Sequence, residues 1–359
     1  MKFLDLFAGI GGFRLGMESA GHECIGFCEI DKFARASYKA IHDTKGEIEL
    51  HDITRVTDES IRGIGRVDII CGGFPCQAFS IAGNRRGFED TRGTLFFEIA
   101  RFASILRPKY LFLENVKGLL NHDNGVTFET IISTLDELGY NVEWQVLNSK
   151  NFGVPQNRER VFIIGHLRGE RTRRIFPLGG ENQSTSSQSV VKIGNVNPSG
   201  NGMNGEVYQA DGLAPTLTTN KGERQKIAIK SNTIKQFGIL QPNFNQCGVV
   251  YETDGIAPTI RAYQGGGLEP KIIQRGHGYN QGGVHEIAPT LTSNSYHENN
   301  HLSFGYRIRK LTPRECWRLQ GFPDWAFDKA QEVNSNSQLY KQAGNSVTVN
   351  VIAAIAKEL

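Results

Sequence analysis

The first twenty residues constrain the fold more than any other stretch of the chain. The apolar pattern of Lys2–Phe7 predicts a strand, Ala8–Phe13 is a glycine-rich turn, and Arg14–Ala20 follows as a predicted helix. This order opens the nucleotide-binding unit of doubly wound α/β folds. Arg14 stands where a dinucleotide fingerprint has its third glycine, so the turn favours a different adenosine ligand over a dinucleotide. A tight turn that binds nothing is the alternative.

Two carboxylates follow this turn at the ends of predicted strands. Glu23–Cys28 predicts a second strand, and Glu29 comes directly after it, about 20 residues beyond the turn, where such folds bind a ribose hydroxyl. Asp52 ends a third element and is suited to accept from an adenine amino group. Either acid alone is equally consistent with a helix cap or a surface charge. Together they predict one edge of a binding site.

A cysteine and a glutamate follow two further predicted strands. Val67–Cys71 is apolar and leads into Gly72–Ser80, whose glycines and proline predict a sharp loop around Cys76. Tyr110–Leu113 predicts a buried strand that ends at Glu114. Since strand ends meet at the ligand edge of such a sheet, the thiol and the carboxyl group form a candidate nucleophile and proton donor. A buried structural cysteine is the alternative.

Two arginines precede the last strand of the first half. Arg158 and Arg160 alternate with Glu159 just before Val161–Gly165, which predicts a strand. Alternating residues of an extended segment face the same side, so both guanidinium groups are expected on one face. A solvated run of charges is the alternative.

Composition excludes several classes of protein. The chain has 359 residues, a net charge of +3 and six cysteines without the spacing of a disulfide framework. It has no apolar run of the roughly 18 residues that a membrane span needs. We therefore expect a cytoplasmic protein with one large and one smaller domain, and no bound metal. A zinc deaminase is excluded because no His-x-Glu occurs and Phe79 replaces the second cysteine of its Pro-Cys-x-x-Cys motif.

The ordered motifs together resemble the DNA (cytosine-5)-methyltransferases of bacterial restriction–modification systems and phages. The resemblance covers most of residues 1–165 and 307–359. The matching stretches are Asp5–Phe13, Gly73–Ser80, Asp90–Glu98, Glu114–Val116, Gln156–Gly165, Arg309–Pro323 and Gln342–Val347.

The resemblance implies an α/β fold: a Rossmann-like, S-adenosylmethionine-dependent methyltransferase sheet with a second, smaller, mainly β or irregular target recognition domain. It also implies S-adenosylmethionine as cofactor and S-adenosylhomocysteine as product. The cofactor residues that it implies are Phe7, Ala8, Gly9, Gly11, Gly12, Glu29, Ile30, Asp52, Ile53, Gly73, Pro75, Leu95, Asn345 and Ser346. Many relatives carry tryptophan at the position of Ile30, so the adenine face is expected to be less aromatic here.

The catalytic roles also follow from the resemblance. Cys76 would attack C6 of a flipped-out cytosine, Glu114 would donate at N3, Arg160 would hold O2, and Arg158 would support the loop or a phosphate. The implied DNA contacts are Gln77, Ser80, Ala82 and Arg92. Relatives often have serine at the position of Ala82.

Three domains are predicted: a catalytic domain over 1–170, a target recognition domain over 171–330, and a C-terminal segment over 331–359 that packs back on the first. The middle domain contains an internal repeat, Val207–Leu217, Val250–Ile260 and a shorter copy at Ile287–Leu291. The repeat has two interpretations: stacked β units that together recognise one DNA target, or several modules that each recognise a separate target. We favour one target.

The expected partner is double-stranded DNA, bound by a monomer, and a cognate restriction endonuclease encoded nearby is a further expectation. A tRNA-directed cytosine-5 methyltransferase of the same fold is the main alternative, and a non-catalytic DNA-binding module is another. Intact Cys76, Glu114 and Arg160 argue against the latter.

Overall fold

The structure is a computed structural model of the whole chain. The residues that it describes are 1–75, 95–179, 190–195, 206–210, 212–217, 226–230, 236–239, 249–251, 272–274, 283–285, 300–301 and 306–359. Cys76, Gln77, Ser80, Ala82 and Arg92 lie outside them, as do most residues of the second and third repeat copies.

The centre of the fold is a seven-stranded sheet in the order β3-β2-β1-β4-β5-β7-β6. Its strands are β1 (Lys2–Leu6), β2 (Glu23–Cys28), β3 (Ile48–Leu50), β4 (Ile69–Gly73), β5 (Tyr110–Val116), β6 (Tyr140–Asn148) and β7 (Glu159–Leu167). The strands from β3 to β5 pair in parallel, whereas β7 runs antiparallel to both of its neighbours. The prediction of a Rossmann-like α/β methyltransferase sheet is confirmed.

Helices follow several of the strands, and four more lie in the C-terminal part of the described chain. They are α1 (Gly12–Ser19), α2 (Lys32–Ile41), α3 (Asp58–Gly63), α4 (Leu95–Leu106) and α5 (Val126–Glu137), then α6 (Pro313–Leu319), α7 (Asp324–Val333), α8 (Asn336–Asn345) and α9 (Val349–Ala356). The central strands β1, β4 and β5 are buried nearly throughout. That burial explains their continuous apolar runs, since a parallel sheet is covered on both faces.

The N- and C-terminal parts of the chain pack together through α1 and α9. A Cβ added at Gly16 of α1 would lie 2.6 Å from Ile352 of α9, so the two helices are in close contact. His22 forms a hydrogen bond of 3.0 Å with the carbonyl oxygen of Ala356. The C-terminal helix therefore completes the core next to the N-terminal glycine turn.

The chain divides into two compact units. The first contains Met1–Ser189, Leu213–Lys221 and Thr312–Leu359, and the second contains Val190–Gly212 and Gly222–Leu311. Residues 171–189 and 312–330 thus fall in the first unit, although the sequence analysis assigned them to the recognition domain. In the C-terminal part the reason is packing, because α7 packs against α2 and α8 against α6. The assignment of the second unit to target recognition stays a prediction.

Short strands make up the described part of the second unit. They are β8 (Lys192–Asn195), β9 (Glu206–Gln209), β10 (Lys226–Lys230), β11 (Gln236–Ile239), β12 (Val249–Tyr251), β13 (Ile272–Gln274), β14 (Gly283–His285), β15 (Asn300–His301) and β16 (Tyr306–Lys310). They form three small sheets, of which the largest has the order β16-β10-β9-β8.

The glycine turn depends on a left-handed backbone at Gly11. Its φ is +85°, and a Cβ added there would lie 2.1 Å from Nε2 of the buried His42. We expect Gly11→Ala to lower the free energy of unfolding by at least about 2 kcal/mol, because left-handed backbone costs an L-residue roughly 1–2 kcal/mol and the imidazole must also move. Chemical denaturation measures the loss.

Gly21→Ala is the matched control for this prediction. Gly21 has a φ of +83°, but a Cβ added there would meet no atom within 4 Å. The free energy of unfolding of Gly21→Ala should therefore fall only by the roughly 1–2 kcal/mol that a left-handed backbone costs an L-residue. Equal losses in the two variants would contradict a steric role for His42.

Candidate active site

A cavity of about 500 Å³ lies at the carboxyl ends of β1, β2, β4 and β5. The lining residues that the structure describes all belong to the first compact unit. The sequence-predicted cofactor residues that line it are Phe7, Ala8, Gly9, Gly12, Glu29, Ile30, Asp52, Ile53, Gly73, Pro75, Leu95, Asn345 and Ser346. Strand ends of an α/β sheet are the expected location for ligand binding.

Gly11 is the one predicted cofactor residue that does not line the cavity. Its position faces His42 instead, and it shapes the turn: its N–H donates to the carbonyl oxygen of Ala8 over 2.8 Å. Phe7 and Gly9 also have positive φ values, +55° and +57°. The turn therefore reverses sharply after β1 and brings Gly12, the first residue of α1, to the cavity wall.

Glu29 is fixed at the rim of the cavity by backbone groups. Its Oε2 accepts from the N–H of Gly9 over 2.8 Å, and its Oε1 accepts from the N–H of Asp31 over 2.7 Å. Burial raises the pKa of Glu29, while these two hydrogen bonds oppose that shift. Each carboxylate oxygen has two lone pairs, so both can accept a further hydrogen bond from a ligand.

Asp52 and Ile30 provide the polar and apolar parts of the same end of the cavity. Asp52 accepts from the backbone N–H and the hydroxyl of Thr54, and the hydroxyl is the largest cause of its lowered pKa. Ile30 is 67% exposed although it is a large apolar side chain. An ionised acceptor thus lies in the same cavity as an open apolar surface.

Glu114 and Arg160 form an ion pair at the other end of the cavity. Arg160 Nε lies 3.1 Å from Glu114 Oε1, and both side chains are largely buried. Burial raises the pKa of Glu114, whereas the charges of Arg160 and then Arg158 act against this rise. The carboxyl group is therefore easier to protonate than an ordinary glutamate.

Arg158 enters the same cavity but has different partners. Its guanidinium donates to the carbonyl oxygens of Ser346 (2.8 Å), Gly344 (3.3 Å) and Leu217 (3.4 Å). Burial, followed by the charge of Arg160, lowers its pKa to about 9, so it stays charged at neutral pH. Both arginines line the cavity, and they leave its Glu114 end positively charged.

The base of the Cys76 loop is held against this ion pair. Gly73 pairs in register with Glu114, and a Cβ on Gly73 would lie 3.1 Å from Glu114 Oε2. The side-chain amide of the buried Asn115 donates to the carbonyl oxygen of Phe74 over 2.8 Å. Pro75 lines the cavity and is the last described residue before Cys76.

Several cavity residues were not predicted from the sequence. They are Ile10, Phe13, Cys28, Asp31, Ala34, His51, Phe74, Asn115, Val116, Gln342, Gly344 and Val347. Most of them lie next to a predicted residue in the sequence, and this adjacency is the feature that could have identified them. Asn115 had a further signal, because a polar residue within an apolar strand needs a buried partner.

Two negative findings apply to the described residues. Among them, no cluster of three or more His, Cys, Asp or Glu side chains could hold a metal ion. None of their helices has the length and apolar character to cross a bilayer.

Comparisons with known proteins agree with this geometry. The family model of the C-5 cytosine-specific DNA methylases matches residues 1–359. The chain is 39% identical to the type II methyltransferase M.HpaII of Haemophilus parainfluenzae, an alignment that covers 99% of this chain and 88% of that protein. It is 35% identical to the orphan methyltransferase M.SPRI of Bacillus phage SPR, which covers 100% of this chain and 97% of that protein.

The fold is also similar to that of solved structures. The crystal structure of the S. pombe Dnmt2 methyltransferase aligns with a TM-score of 0.59 and 17% identity, over 99% of this chain and 96% of that one. At this identity the similarity supports the fold alone. The family match and the relatives identify function, and the chain belongs to the C-5 cytosine-specific DNA methylases as a DNA (cytosine-5)-methyltransferase of restriction–modification type.

Proposed function

We propose that this chain transfers a methyl group from S-adenosylmethionine to C5 of a cytosine flipped out of duplex DNA, through a covalent bond between Cys76 Sγ and C6. The observation that carries the proposal is the Glu114–Arg160 pair, 3.1 Å apart, in the same cavity as Glu29 and Asp52. Glu29 and Asp52 thus suit an adenosine, and in the same cavity Glu114 and Arg160 provide an acid and a cation that suit a pyrimidine.

The residues of the cavity fit S-adenosylmethionine. Glu29 is held by two backbone N–H groups and keeps lone pairs for ribose hydroxyls. Asp52 would accept from the adenine amino group, and Ile30 and Ile53 would contact the adenine. A Cβ on Gly9 would meet no protein atom within 4 Å, so this stretch of backbone is open to a ligand.

When bound, this cofactor supplies an electrophilic methyl group and leaves as S-adenosylhomocysteine. The chain must therefore provide the nucleophile, the proton and the orientation of the base. Cytosine C5 is a weak nucleophile, and addition of a thiolate at C6 makes it enamine-like.

Cys76 follows directly on Pro75 at the cavity wall and is the proposed nucleophile. Its thiolate adds to C6, and the π electrons of the C5–C6 bond shift toward C5 and N3. A thiolate forms more readily beside positive charge. Arg158 and Arg160 provide two cations against the single carboxyl group of Glu114.

Glu114 donates a proton or a strong hydrogen bond to N3 during this addition. Its raised pKa favours the protonated form that this role requires. Arg160 would hold O2, because its guanidinium is fixed by Glu114 and by the carbonyl oxygen of Glu159. On methylation at C5 the C4–N3 double bond re-forms and the N3 proton returns to Glu114. A base, which we propose is water, then removes the C5 proton, and the electrons of that bond form the C5–C6 double bond and expel the Cys76 thiolate.

The cytosine must leave the helix to reach these groups. C5 and C6 are inaccessible within a stacked duplex, and flipping costs a few kcal/mol of unstacking.

Incubation with labelled S-adenosylmethionine and either duplex DNA or tRNA tests the proposal. Label is expected in DNA, at C5 of cytosine, and bisulfite sequencing of DNA from expressing cells reports the target or targets. Transfer to tRNA alone, or to a position other than C5, would contradict it.

A further inference from the structure

Arg158 makes contacts that differ in kind from those of Arg160. Arg158 is only 2% exposed, and within the described part of the chain its guanidinium donates to backbone carbonyl oxygens. Arg160 is paired with a side chain that is itself a candidate for the chemistry, Glu114. The contacts therefore direct Arg160 toward the reacting base and Arg158 toward the protein backbone.

The first contact of Arg158 is with the wall of the cofactor cavity. Gly344 and Ser346 line the cavity at the end of α8 and in the turn that leads to α9. Carbonyl groups at the end of a helix lack partners within the helix, and a cation stabilises that end. The two carbonyl oxygens accept from Nη2 of Arg158 over 3.3 and 2.8 Å. The guanidinium thus fixes the position of this wall.

The backbone of Arg158 is anchored separately from its side chain. Its N–H donates to Asn148 Oδ1, and its carbonyl oxygen accepts from the N–H of Ser149 over 3.0 Å. The Ser149 hydroxyl in turn lies 2.9 Å from the hydroxyl of Thr348, in the same α8–α9 turn. A change in the guanidinium therefore leaves these backbone contacts in place.

The second contact of Arg158 is with residues 213–217, which belong to the first compact unit but continue in both directions into the second. Nη1 of Arg158 donates to the carbonyl oxygen of Leu217. Backbone hydrogen bonds hold the same segment: Ala214 N donates to Pro155 O over 2.8 Å, and Asn157 N donates to Ala214 O over 2.9 Å. The segment is thereby fixed to the residues just before Arg158.

We propose that Arg158 is a positioning residue that joins the Gly344–Ser346 wall of the cofactor cavity to residues 213–217, and that it does not contact DNA. The inference rests on the proposed function, since it names S-adenosylmethionine as the occupant of that cavity. As a consequence, binding of the cofactor and the position of residues 213–217 affect each other through the Arg158 side chain.

The test measures the affinity for S-adenosylhomocysteine by calorimetry in the absence of DNA. Arg158→Lys keeps the charge but lacks the planar fork that reaches several carbonyl groups. We expect its dissociation constant to rise about tenfold or more, with the KM for the cofactor rising in parallel. Arg160→Lys is the matched control: it should lower kcat and leave that dissociation constant within about twofold of wild type.

The salt dependence of DNA binding separates positioning from a phosphate contact. An arginine that binds a phosphate reduces the slope of log K against log salt by about 1 when it is lost. We expect Arg158→Met to leave this slope unchanged. A reduced slope combined with unchanged S-adenosylhomocysteine affinity would overturn the proposal.

Ala214→Pro tests the other side of the contact and keeps the inference falsifiable if an Arg158 variant fails to fold. Proline cannot donate to Pro155 O, so residues 213–217 loosen while the bonds to Gly344 and Ser346 remain. We expect the dissociation constant for S-adenosylhomocysteine to rise at least threefold, although Ala214 does not line the cavity. An unchanged affinity in a folded Ala214→Pro enzyme would count against the proposal. Failure of the proposed function would instead appear in the wild type, as absence of cofactor binding or of DNA methylation.

Discussion

Cys76→Ser should reduce methyl transfer by at least about 10³-fold while its affinity for S-adenosylhomocysteine stays within about twofold of wild type. A neutral serine hydroxyl is a far weaker nucleophile than a thiolate. Glu29 and Asp52, the proposed cofactor residues, should keep their contacts with Gly9 and Thr54 in this variant. Transfer of labelled methyl groups to duplex DNA measures the loss.

A duplex with 5-fluorocytosine at the target gives an independent readout of this prediction. Fluorine at C5 blocks the proton loss that releases the enzyme, so the wild type should form a complex that survives denaturation and Cys76→Ser should not. Cys316→Ser is the matched control, because Cys316 is a buried cysteine of α6 that does not line the cavity. A Cys76→Ser enzyme with the turnover of the control would remove Cys76 from the mechanism.

Glu114→Gln should slow methyl transfer by more than about tenfold, since general acid catalysis typically contributes 10²–10⁴-fold. Glutamine still donates a hydrogen bond to N3 but delivers no proton. The pH dependence has a definite sign. Because burial raises the pKa of Glu114, the protonated form persists to higher pH than in an ordinary glutamate, and the rate falls as the pH rises through that pKa. The glutamine variant should lack this fall.

Glu159→Gln is the matched control for Glu114. Glu159 is the neighbour of Arg160 in β7, pairs with Lys117 at the surface, and does not line the cavity. Single-turnover rates over a range of pH should keep the wild-type profile in this control. A Glu114→Gln enzyme within about twofold of wild type would show that the Glu114 proton is not used.

The sequence by itself determined the local elements of the catalytic half and the family. The strand at Glu23–Cys28 has the predicted bounds, and β1 ends one residue earlier than predicted, where Phe7 adopts a positive φ. These features have local causes: apolar runs require burial, and Gly11 occupies a conformation that disfavours a side chain. Glu114 was likewise predictable at the ligand edge, because the carboxyl ends of parallel strands meet there.

Only the tertiary structure decided which groups act together. The helices α7 and α8, which a short Ser/Asn-rich stretch at 334–337 joins, were not predicted, and packing on α2 and α6 stabilises them. The separate partners of Arg158 and Arg160 were equally invisible, because they lie up to 188 residues away along the chain. Alternation places two side chains on one face, but their partners depend on distant segments that only folding brings to that face.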